Sequence, residues 1–101
     1  MRYVLSPSLK RDLEEIAEWI AQETPTRALR VIRELRTAIR EIAQHPKHYQ
    51  LRPDIGEDAR LAVAGRHVIL FWIDGKVVRF ERVVYGGRDL PAQFERSSPI
   101  S

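Results

Sequence analysis

The chain has 101 residues, 44% of them hydrophobic and 31% charged, with no cysteine. That is one domain of ordinary globular composition, so intrinsic disorder, disulfide staples and thiolate metal sites are excluded. The formal charge of +3 is carried mostly by arginine, whose planar fork suits carboxylates and phosphates alike, so charge alone chooses neither an acidic protein nor a nucleic acid as partner.

Arg2 to Leu5 reads as a short strand, stopped by Ser6-Pro7. Ser6 can cap a helix, and Pro7 suits the first helical position, where its missing N–H costs nothing. Leu9, Leu13, Ile16, Ala17 and Ile20 then recur at helical spacing, with Trp19 at the margin of the stripe. Asp12, Glu14, Glu15 and Glu18 are expected to cover the surface of this first helix, which should end near Glu23. Thr24-Pro25 repeats the cap-plus-proline signal, and Ala28, Ile32, Leu35, Ile39 and Ile42 form the stripe of a second helix bearing Arg27, Arg30, Arg33, Arg36 and Arg40. With so short a link the two helices must fold back as an antiparallel hairpin.

His45-Pro46 ends the second helix, and Lys47 to Glu57 reads as an ordered loop. Asp58 to Ala64 is a modest strand, with Leu61 and Val63 in one phase. His67 to Ile73 is an almost unbroken apolar run, as expected of a strand buried on both faces. Asp74-Gly75 supplies a type I′ hairpin turn, and Lys76 to Val84 returns with Val78, Phe80 and Val84 on one face. Arg82 falls out of phase among apolar neighbours. It needs a carboxylate such as an acid of the first helix, free carbonyls, or a route to water. Gly86-Gly87 implies a special backbone path or close approach of a partner, and Leu90 to Phe94 reads as a short helical tag tucked onto the core. The order β-α-α-β-β-β describes an α+β domain over residues 1–94, a helical hairpin on a mainly antiparallel sheet, with 95–101 as a flexible tail.

Conventional catalytic motifs are missing, and no cofactor is implied. His45 and His48 are three apart, but Pro46 lies between them, no helix carries them as a pair, and no cysteine or third obvious ligand accompanies them, so no metal site is expected. The N-terminus lacks the apolar run of a signal peptide and no stretch is long enough to span a bilayer, which fits a cytoplasmic protein.

Several motifs carry a likeness to a known family. Leu5-Ser6-Pro7 precedes an acidic first helix, Thr24-Pro25 opens an arginine-rich second one, and Gly65-Arg66-His67-Val68-Ile69 leads the central strand. The most specific stretch is Arg82-Val83-Val84-Tyr85-Gly86-Gly87-Arg88-Asp89-Leu90. Together these resemble the ParE branch of the ParE/RelE toxins, although ParE members usually carry histidine where this chain has Tyr85.

The resemblance implies the toxin of a bacterial type II toxin–antitoxin system, neutralised by a ParD-like antitoxin and acting on DNA gyrase. The target-facing residues would be Arg82, Tyr85, Arg88 and Phe94. The antitoxin would meet Trp19, Ile16 and Ile20 in an apolar groove between hairpin and sheet, with Arg33 and Arg40 facing its acidic side chains, and would add a strand to an open sheet edge. The alternative is a ribosome-dependent messenger RNA endonuclease of RelE type, using Arg60, His67 and Arg88. Against it, Asp58 and Arg60 stand where a lysine pair would lie, and Phe94 stands at a tag position that would hold a tyrosine.

Overall fold

The structure, a computed structural model, describes residues 1–86, 90, 91 and 94. Its elements are β1 (Arg2–Leu5), α1 (Pro7–Ala21), α2 (Pro25–Gln44), a 3₁₀ turn (Pro46–His48), β2 (Arg60–Ala64), β3 (His67–Asp74) and β4 (Val77–Tyr85). The four strands form one mixed sheet in the order β1-β4-β3-β2, with β1 parallel to β4 and the other two pairs antiparallel. The expected α+β fold is the one observed.

Both helices begin where the proline signals place them. Ser6 Oγ accepts the Leu9 N–H at 2.9 Å, a side-chain cap, whereas Thr24 closes its helix through the main chain alone. The hairpin buries Leu9 and Leu13 of α1 and Leu35, Ile39 and Ile42 of α2 against Ala62, Ile69, Phe71, Val78, Phe80 and Val83 of the sheet. The opposite face of the sheet carries a smaller cluster of Ala59, Val68, Leu70 and Phe94, with Leu90 packed on it. Thus β3 is buried on both faces, which is why its sequence shows no alternation.

Three expectations need correction. The β3–β4 turn is Gly75-Lys76, since Asp74 pairs with Val77; only Gly75 has positive φ, at 63°. Glycine leading a two-residue loop is the type II′ arrangement, and Gly65 (φ 62°) leads the β2–β3 turn in the same way. In β4 the core residue after Phe80 is Val83, not Val84. The register slips opposite Leu70 and Phe71, leaving Glu81 unmatched, and the extra residue of this bulge shifts the alternation by one. In β2 the residue buried under the helices is Ala62, while Val63 is 76% exposed. Arg88, Asp89 and the tail 95–101 lie outside the described residues.

Candidate functional site

The site region begins where β1 runs out. β1 pairs with only Val77 to Phe80, so the second half of β4 has no strand on that side and α1 lies there instead. The changeover is stitched at Ser6, whose N–H donates to the Phe80 carbonyl at 2.9 Å and whose Oγ donates to the Glu81 carbonyl at 2.7 Å. Further along α1, the Asp12 carboxylate accepts from both the Arg82 guanidinium and the Val83 N–H. Arg82 therefore has the internal acid partner left open by its sequence position, and its pKa is raised chiefly by that hydrogen bond. Asp12 is 8% exposed, which corrects its expected place on the helix surface. It sits three residues after Leu9 and four before Ile16, inside the apolar stripe. That phase, matched to the out-of-phase Arg82, was the available signal.

Beyond this pair a cleft of about 650 Å³ opens between the last turns of α1 and the end of β4. Ile16, Trp19 and Ile20 line one wall, and His67 and Tyr85 the other. Trp19 is 75% exposed, far more than core packing allows. His67 meets Tyr85 edge to face with ring centroids 6.1 Å apart, and burial lowers its pKa. Arg27 and Arg66 join His67 and Ile20 in an adjoining groove of about 500 Å³ between α2 and β2, which Arg33 also lines. Arg40 lies elsewhere, on a shallow apolar groove outside the hairpin that it shares with Arg33, Arg36 and Leu29. The structure thus brings Ile16, Trp19 and Ile20 together, sets Arg33 between two grooves, and leaves Arg40 apart.

A second cleft, of about 720 Å³, lies on the sheet face away from the helices. Its floor includes Leu70, Trp72 and Phe94, and its rim carries Asp54, Glu57, Asp58 and Glu81. Arg82 borders this cleft as well as the first, so it stands between them. Of the expected target-facing residues, Arg82 and Phe94 therefore share one cleft, Tyr85 belongs to the other, and Arg88 lies outside the described residues. Asp54, Glu57 and Asp58 are neighbours in one loop of the sequence; what the sequence does not show is that the bulged strand sets Glu81 on the same rim.

Of the alternative nuclease set, Arg60 and His67 lie apart, and Arg88 is outside the described residues. Arg60 donates to the Tyr49 carbonyl at 2.6 Å, and its β3 partner Phe71 lies four residues along the strand from His67, about 13 Å at ~3.3 Å per residue. His45 and His48, in contrast, are held together: the 3₁₀ turn stacks their rings 4.9 Å apart. Among the described residues no group of three or more histidines, cysteines or carboxylates gathers as a metal cluster, and no helix is long and apolar enough to cross a membrane.

Comparison with known proteins agrees with this architecture. A solved structure described as a chromosomal ParDE TA system from P. aeruginosa superposes with a TM-score of 0.76, covering 86% of this chain and 97% of that one at 17% identity, a likeness of fold. No curated protein matches the sequence. The family profile described as "ParE toxin of type II toxin-antitoxin system, parDE" matches residues 3–90, nearly all of the domain just described. This chain belongs to the ParE toxin family of type II toxin–antitoxin systems.

Proposed function

We propose that this toxin arrests growth by gripping a protein target, DNA gyrase, and that it does not cut RNA. The observation that carries the reading is the charge of the open sheet face. Its rim presents Glu57, Asp58 and Glu81, while Asp54 is paired with Arg52 and Arg82 is committed to Asp12. Among the described residues lining this face Arg82 is the one cation, and it is already paired, so a polyphosphate laid there meets negative charge. Cleavage by attack of a 2′-hydroxyl also needs a proton acceptor, a proton donor and cations gathered around one phosphate. Arg60 and His67 are too far apart for that, and Phe94 has no proton to give.

The ParD-like antitoxin is proposed to lay an apolar segment over Ile16, Trp19 and Ile20 and to add a strand at an edge of the sheet. The edges are β1 and β2, with Tyr3 and Val4 exposed on the first and Val63 on the second. Arg33 and Arg40 are available on α2 for acidic antitoxin side chains. The setting is the bacterial cytoplasm, where gyrase works.

The test is a gyrase supercoiling assay beside primer extension on ribosome-bound message. Loss of supercoiling at micromolar toxin, relieved by the antitoxin, with no cuts in the message, is expected. Codon-edge cuts with gyrase unaffected would overturn the reading in favour of the endonuclease.

A further inference from the structure

We propose that His45 and His48 form a two-point clamp for a divalent transition-metal ion of the zinc, nickel or copper class. The proline between them, which rules out an α-helical pair, is what creates the clamp. It starts a 3₁₀ turn, Pro46–His48, with His45 as its N-cap, which brings the chain back so that the two side chains lie next to each other. The two imidazoles accordingly lie face to face, with centroids 4.9 Å apart and planes within 7°.

The base of the turn is fixed on every side. The His45 N–H donates to the Ile42 carbonyl and the His48 N–H to the His45 carbonyl, each at 3.1 Å. Pro46 is buried, the Tyr49 ring meets the edge of Phe71 at 5.8 Å, and the Tyr49 carbonyl holds Arg60. The backbone that positions both rings is therefore ordered before any ion arrives, which removes much of the entropic cost of assembling a chelate.

The imidazoles themselves are exposed, and neither makes a hydrogen bond or ion pair among the described residues. Their nitrogens are available as donors. Each ring must turn out of the stack about its Cβ–Cγ bond, a rotation open to an exposed side chain, for one nitrogen of each to reach the ~2.0–2.1 Å that such ions require. Imidazole suits zinc, nickel and copper, and copper(II) should bind most tightly among them. Two protein donors leave the remaining positions to water. Lys47 lies between the pair in sequence, and its repulsion of the ion is screened at so exposed a position.

The test uses the tag-free full chain labelled with ¹⁵N and titrated with copper(II) chloride, with zinc chloride calorimetry in parallel. Paramagnetic broadening should be confined to residues 44–49, and zinc should bind with one-to-one stoichiometry. Loss of a second-shell partner alone weakens metal sites by ~10–100-fold, so His45→Ala or His48→Ala should cost at least about tenfold. His67→Gln, which removes the third histidine, should leave copper and zinc binding unchanged. Broadening centred on His67 or on the Met1 amine, or binding undiminished in His48→Ala, would overturn the proposal.

Discussion

Asp12 holds two consecutive residues of β4 at once: its carboxylate takes the Arg82 guanidinium on both oxygens, at 2.6 and 2.8 Å, and the Val83 N–H at 3.0 Å. A helix thereby does what a neighbouring strand would have done for that stretch. Asp12→Ala leaves a half-buried guanidinium without its acid and orphans a buried backbone donor. The expected loss is about 3 kcal/mol, at the lower end for a broken buried pair because Arg82 keeps some access to water. Asp12→Leu combined with Arg82→Met should recover much of it. Urea unfolding of the two single variants and the double variant measures the coupling.

Trp19 supports a separate prediction, because its exposure uncouples partner binding from stability. Trp19→Ala should leave the unfolding midpoint within about 0.5 kcal/mol of the parent. It should weaken binding of the ParD-like antitoxin by about 30-fold, the scale of a 2 kcal/mol hot spot. Isothermal titration against the antitoxin decides it: unchanged affinity would remove Trp19 from the interface.

His67 makes stability depend on pH. Burial holds its folded pKa below the ordinary 6.5, so the unfolded chain takes up the proton first on acidification. The contribution is fully present above the unfolded value and is lost as pH falls through the folded one. Urea midpoints collected from about pH 7 down to about pH 5 should therefore decline, and His67→Gln should flatten that limb. An identical slope in the variant would assign the decline to other groups.

The two hairpin glycines should behave alike. A Cβ at Gly65 or Gly75 meets nothing within 4 Å, so alanine there is penalised only for its positive φ. Each Gly→Ala change should cost about 1–2 kcal/mol. Toxicity should persist while the protein stays folded, as measured by growth after induction alongside thermal unfolding.

The elements were legible in the sequence because their signals are local. Ser6-Pro7 and Thr24-Pro25 mark both helix starts, and the apolar run from His67 marks a strand covered on two sides. What was hidden depends on partners distant in sequence. The bulge at Glu81 exists only relative to β3, so the slip from Val84 to Val83 could not be read from β4 alone. Asp12 looked like surface because its partner lies 70 residues away. The apolar trio of the first cleft followed from α1 periodicity, whereas the acid rim of the second needed the sheet to assemble it. His45 and His48 were set aside because no α-helix carries them as a pair and no third ligand accompanies them, and the stacking of their rings depends on a 3₁₀ turn that the sequence does not announce.

The bonds from Ser6 and Asp12 tie the start of α1 to β4, a strand that follows it by 70 residues or more. Until the ribosome has released that strand, the parallel edge has nothing to join and α1 has no counter-charge to cover. A nascent or prematurely terminated chain is consequently an unfinished product, exposed to proteases and without a formed cleft for any partner. For a toxin of this family, the clefts therefore form only once β4 is in place.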